Sequence, residues 1–120
     1  MLKTIKNIPR RVVRAMGYSL DGLSSSYKKE ESIRLETLAL IILVVVMIFV
    51  PWPLWKKFAL VAAYLLVPLT ELLNSAVEDV CDLVSSDFEP RIKSAKDKGS
   101  AAVLIIIAAD VLVLVTLIII

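Results

Sequence analysis

Three apolar stretches, each closed by polar or turn-forming residues, organise this chain. Leu38 to Val50 is a run of thirteen uncharged, almost wholly apolar residues, preceded by Glu36 and ended by Pro51-Trp52-Pro53-Leu54-Trp55. Thirteen helical residues cover about 20 Å, short of the roughly 30 Å hydrocarbon core of a bilayer. The first span, residues 35–50, must therefore draw on Ile33 to Thr37 as well. The Trp pair then falls at a membrane–water interface, with Lys56 and Lys57 marking the turn. Residues 58–84 form a second span, apolar through Leu69, with Pro68 inside it and a carboxylate-rich second half. Residues 85–98 read as a polar connection containing Pro90, and Gly99 opens a third span over residues 99–120, long enough to cross.

The first 34 residues differ. Leu2, Ile5, Ile8, Val12 and Val13 interleave with Lys3, Lys6, Arg10, Arg11 and Arg14. That spacing predicts a basic amphipathic helix suited to an anionic leaflet, the other reading being a solvated helix packed on protein. Gly17 to Ser19 and Gly22 to Ser26 suggest a break or bend before a second helical piece. None of the apolar runs alternates, so strands and a barrel are not expected. The predicted fold class is an all-α membrane protein of one domain, an N-terminal surface helix plus three transmembrane helices.

Composition agrees. The 120 residues are 58% apolar, with a mean hydropathy of +0.81. A soluble domain of this size would expose apolar patches that monomers rarely tolerate. The single cysteine, Cys81, excludes an internal disulfide, and the lack of histidine excludes His-based metal sites and His general bases. A net charge of +2 gives little support to nucleic-acid binding. No secretory signal is expected at the basic N-terminus. Residues 1–34 carry eight Lys/Arg and residues 85–98 carry four, against two in residues 51–57. The positive-inside rule then places the N-terminus and the second-to-third connection in the cytoplasm, with the C-terminus opposite.

The chemistry lies in the second span. At 100° per residue, Glu78 and Asp82 fall within about 20° of Glu71, with Asn74 and Ser75 flanking them. Leu72, Leu73, Val77 and Val80 face elsewhere. Carboxylates inside a bilayer are costly unless they pair, bind a cation or transfer protons. A helix end emerging into water would account equally well for Asp79 and Asp82, but less readily for Glu71 and Asn74. An oxygen-only set of Glu and Asn suits a hard cation such as Mg²⁺, commonly held by one or two carboxylates plus phosphate oxygens. A cation beside a membrane-buried carboxylate base is an arrangement for phosphorylating a lipid hydroxyl. Lys96-Asp97 just before the third span could steady polyphosphate at that helix's N-terminus. A solvated, snorkelling pair is the common alternative. The chain contains neither a P-loop nor a kinase-type glycine-rich loop.

Taken in order, Gly17-Tyr18-Ser19 with Gly22-Leu23, Glu30, Glu71-x-x-Asn74-Ser75-Ala76-x-Glu78-x-x-x-Asp82 and Ala95-Lys96-Asp97-x-Gly99-Ser100-Ala101-Ala102-Val103-Leu104 resembles the prokaryotic integral-membrane diacylglycerol kinase family. The resemblance covers nearly the whole chain. It looks more like the Gram-negative diacylglycerol kinases than the undecaprenol kinases. It implies a homotrimeric helical bundle in the bacterial inner membrane, with active sites shared between subunits. The reaction implied is transfer of the γ-phosphate of MgATP to the hydroxyl of diacylglycerol, giving phosphatidic acid. By motif position, Glu71 resembles the catalytic base, and Glu30 and Glu78 resemble the metal-binding carboxylates. Arg11, Tyr18, Glu30, Asn74, Glu78, Lys96 and Asp97 would form the ATP site. Arg11, Glu71 and Ser100 would meet the lipid, and Asp82 is a weaker candidate.

The residues alone do not imply trimerisation, nor that Glu30 meets Glu78. Asp79 and Asp110 depart from the family pattern and carry no assigned role; the Pro51–Trp55 turn differs in detail too. Two other activities also fit these residues. One is a polyprenol kinase using the same site. The other is an ion-translocating subunit working through Glu71 and Asp110, which leaves Lys96-Asp97 unexplained. An inert assembly protein leaves the carboxylate stripe without a reason.

Overall fold

The computed structural model describes residues 6–120, so Leu2, Lys3 and Ile5 of the expected basic helix lie outside the described residues. The described residues are helical throughout apart from short connections, with no strand among them. The chain divides into two compact units, Met1–Arg34 and Leu35–Ile120.

In the first unit, α1 runs over Ile8–Lys29. It passes straight through Gly17 and Gly22, where the glycine–serine pattern suggests a break. Neither glycine adopts a positive φ, and a single glycine costs a helix only about 1 kcal/mol relative to alanine. The helix ends instead at Glu30, which is extended at φ −114°, ψ 122°. Arg34 explains the position of that end, because its Nη1 donates to the carbonyls of Tyr27 and Lys28 at 3.1 and 3.0 Å. Those are last-turn carbonyls with no partner inside the helix.

Three helical segments are long and apolar enough to cross a membrane: Glu31–Phe49, Leu54–Val84 and Pro90–Ile119. The first is α2, Glu31–Phe49; its 19 residues cover about 28 Å, so it does reach back past Ile33. The turn that follows is Val50 to Pro53, not Lys56-Lys57. Pro53 is extended and caps the next helix, and neither Pro51 nor Pro53 can donate a backbone hydrogen bond. Both lysines therefore fall in the first turn of α3, Leu54–Tyr64.

The second crossing segment is divided. Leu65 separates α3 from α4, Leu66–Val84. Pro68 is the cause: its ring excludes the carbonyl of residue 64 and it has no N–H to return there. The third crossing helix, α5, covers Pro90–Ile119 and so starts nine residues before Gly99. Pro90 occupies the first turn, and the Glu89 side chain caps it by accepting from the Arg91 N–H at 3.3 Å. Lys93 and Asp97 pair one turn apart at 2.6 Å. Most of the residues expected to form a polar connection are therefore helical.

Helices α4 and α5 form an antiparallel hairpin, with α3 packed against both. Met47, Leu60 and Leu117 make a small buried cluster joining α2, α3 and α5. Tyr64 Oη donates to the Glu36 carbonyl at 2.7 Å, tying α3 to α2. The rest of the apolar surface faces outward: Leu73, Val80, Leu104 and Leu112 are all more than half exposed. That is the distribution expected when lipid is the surrounding solvent.

Candidate functional site

The α4 sequence sorts its side chains by bearing, and the fold follows that sorting. Val67, Asn74, Ser75 and Cys81 are the buried residues of α4. Glu71 lies between the bearings of Asn74 and Ser75 and is half-buried. Leu73, Val77 and Val80 project away from the protein. The acidic and amide stripe therefore faces the hairpin interior at Glu71 and Asn74, and it emerges into the open at Glu78 and Asp82.

Three contacts define this end of the hairpin, one within α4 and two across to α5. Asn74 Nδ2 donates to Glu78 Oε1 at 3.4 Å, one helical turn along. Lys96 Nζ donates to Asp82 Oδ1 at 2.6 Å, an ion pair across the hairpin between exposed side chains. The Asn74 amide lies over Gly99: a Cβ at position 99 would overlap Asn74 Oδ1 and fall 3.1 Å from its Cγ. Asn74 Oδ1 itself is buried and has no hydrogen-bond partner among the described residues.

This geometry corrects one sequence expectation. Lys96 stands in the second turn of α5, not at its N-terminus, so free terminal N–H groups and the helix dipole do not act beside it. Its ammonium is instead aimed back at α4 through Asp82. Asp97, on the same turn, pairs with Lys93. Ser100 is exposed and follows Gly99. Arg11 and Tyr18 are exposed on α1, and Glu30 is half-buried at the end of that helix, all three within the first unit.

Two features leave little mark on the sequence. At the α4–α5 connection a cavity of about 550 Å³ is lined by residues including Ser85, Asp87, Phe88, Glu89, Arg91 and Ala95. The Glu89-Pro90 pair, an N-cap followed by a first-turn proline, was the available signal that a helix and not a loop begins there. A second cavity of about 360 Å³ is lined by Leu43, Leu60, Val67, Ile107 and Leu114, together with Glu36, Tyr64 and Asp110. The sequence exposes Asp110 as an oddity but says nothing of its neighbours.

The donor set can be tested against a metal. Among the described residues, no three His, Cys, Asp or Glu side chains gather into a ready-made cage. Magnesium rarely needs one, since it keeps several waters and takes one or two carboxylates plus substrate phosphates. Glu78 offers an exposed carboxylate steadied by an amide, and every polar atom of the Asn74–Glu78 pair that could ligate is oxygen. That chemistry fits a hard cation arriving with a polyphosphate.

Residues 17–119 match the family described as prokaryotic diacylglycerol kinase. The chain is 36% identical over 102 residues to a diacylglycerol kinase of Escherichia coli strain K12, covering 85% of this chain and 84% of that protein. It is 37% identical over 93 residues to a diacylglycerol kinase of Pseudomonas aeruginosa, covering 78% and 76% of the two chains. With a diacylglycerol kinase of Haemophilus influenzae it shares 36% identity over 94 residues, 78% and 80% of the respective lengths.

Proposed function

The chain belongs to the prokaryotic diacylglycerol kinase family and is an ATP-dependent lipid kinase, and from that premise we propose that it transfers the γ-phosphate of MgATP to the free hydroxyl of diacylglycerol. Glu71 is the base. Its half-buried carboxylate, on the α4 face shared with Asn74 and Ser75, is the single observation that carries this assignment. It takes the hydroxyl proton as the lipid oxygen attacks the γ-phosphorus. The bond from that phosphorus to the β–γ bridging oxygen breaks, and ADP leaves with the electron pair. Glu71 and Glu78 stand about 10 Å apart along the helix axis, room for a lipid hydroxyl at one end and phosphate oxygens at the other.

Glu78 and Glu30 are the residues that would hold magnesium, which when bound neutralises phosphate charge and draws electrons from the transferred group. Asn74 orients Glu78 through its amide. Lys96, with Asp97 on the same turn, meets the polyphosphate and exchanges Asp82 for phosphate oxygens. Arg11 and Tyr18 contribute from α1 at the nucleotide and headgroup end, and Ser100 meets the lipid.

The α1 sequence supports a surface position. Ile8, Val12, Met16, Leu20, Leu23 and Tyr27 share one side of the helix, and Arg10, Arg14 and Lys28 share the other. That helix lies on the anionic inner leaflet, and the N-terminus and the α4–α5 connection are cytoplasmic. The working unit is a homotrimer in the bacterial inner membrane, in which neighbouring copies complete the nucleotide-enclosing surface.

The test is a phosphate-transfer assay in mixed micelles with labelled ATP, magnesium, and a panel of diacylglycerol and undecaprenol. Diacylglycerol should be labelled and Glu71→Gln should lower turnover by about 10²–10⁴. Full activity in a folded Glu71→Gln protein would remove the base, and preference for undecaprenol would reassign the substrate.

A further inference from the structure

The contact between Asn74 and Gly99 joins the two sequence motifs of the hairpin, yet only Asn74 has a part in the proposed reaction. We infer that Gly99 is a positioning residue: its missing side chain leaves room for the Asn74 side-chain oxygen to point in against the α5 backbone, and so sets where Glu78 presents its carboxylate. This rests on the reading of Glu78 as the magnesium and phosphate carboxylate.

The constraint is steric. Gly99 is nine residues inside a continuous helix, where no turn and no positive φ asks for glycine. Alanine would hold the helix better at such a position. What excludes alanine is Asn74. An added methyl carbon would overlap Asn74 Oδ1 and crowd its Cγ at 3.1 Å and its Cβ at 3.7 Å. Asn74 is only 9% exposed, so the amide cannot retreat into open space without leaving the interface. Its hydrogen bond from Nδ2 to Glu78 Oε1, at 3.4 Å, is already long, and it breaks as soon as the amide swings. Glu78 is exposed, so this amide is an orienting hold on an otherwise mobile carboxylate. The glycine thus acts on the phosphate end of the site through two side chains of the facing helix, without touching substrate.

The experiment is a double-mutant cycle on the full-length protein in mixed micelles, with Gly99→Ala, Asn74→Ala and the two combined. Each variant is assayed for apparent KM toward MgATP, KM toward diacylglycerol, and kcat. Gly99→Ala should raise the MgATP KM by at least fivefold and leave the diacylglycerol KM within twofold. The combined variant should be no worse than Asn74→Ala alone, because the methyl then has no amide to displace. Independent, multiplying effects of the two substitutions would overturn the proposal, as would a Gly99→Ala protein with an unchanged MgATP KM. If Gly99→Ala fails to fold, recovery of folded protein on adding Asn74→Ala supports the contact, and failure of both overturns it. A wild-type protein inactive on diacylglycerol would sink the functional reading itself. An active wild type with additive substitutions would cost only the role of Gly99.

Discussion

Lys56 Nζ donates to the backbone carbonyl of Leu117 at 3.0 Å, with both groups buried. The same ammonium lies 5.7 Å from the ring centres of both Trp52 and Trp55. Leu117 is in the last turn of α5, whose carbonyls lack partners inside the helix and carry its negative dipole end. A lysine in the first turn of α3 would be badly placed for its own helix. Because α3 and α5 run antiparallel, it is well placed for its neighbour's. The turn between the first two spans is thereby fastened to the end of the third.

Lys56→Met keeps the apolar stem and removes the charge and the donor, leaving the Leu117 carbonyl buried and unsatisfied. Stability should fall by about 1–3 kcal/mol, read as a lower thermal midpoint in detergent. Turnover per folded molecule should be kept, since Lys56 lies at the end of the bundle away from Asn74 and Lys96. An unchanged midpoint would show that the clamp contributes nothing.

Tyr64→Phe removes the 2.7 Å hydrogen bond to the Glu36 carbonyl without changing the ring. Side-chain hydrogen bonds between membrane helices average only about 0.6 kcal/mol. A loss near that size, measured by equilibrium unfolding in mixed micelles, is expected. A loss of several kcal/mol would mean that Tyr64 supports more than one bond.

Asp110 Oδ2 is buried beside the apolar 360 Å³ cavity and has no hydrogen-bond partner among the described residues. A carboxylate in the middle of a span is unfavourable by about 2.5–3.5 kcal/mol on insertion scales, whereas leucine is favoured there. Asp110→Leu should therefore raise the unfolding midpoint and leave phosphate transfer intact. A folded but inactive Asp110→Leu protein would instead give this side chain a role in the reaction.

The Asp82–Lys96 pair joins side chains that are 66% and 39% exposed. Water and salt screen such a pair, and it contributes little to stability. Lys96→Ala should leave the unfolding midpoint almost unmoved. The same substitution should lower kcat/KM for MgATP at least tenfold. A fall in stability without a fall in kcat/KM would make the pair a structural tie only.

The number of crossing helices, their helical nature and the bearing of the carboxylates in the second span were all legible in the residues. Each depends on local repetition: apolar runs long enough to cover a bilayer, and a 100° step that puts Glu71, Glu78 and Asp82 on one side. Helix ends were less legible. Gly17 and Gly22 look like breaks, yet Arg34 decides where α1 stops; Gly99 looks like a helix start, yet Glu89 and Pro90 begin α5 two turns earlier. What tertiary structure alone decided was which side chains meet across helices: Lys56 with the last turn of α5, Asp82 with Lys96, and Asn74 with the bare Cα of Gly99. Those partners lie 14 to 61 residues apart, and no periodicity within a single helix encodes the register at which two helices settle. That register is set by packing, where one methyl group more or less determines how closely two backbones approach.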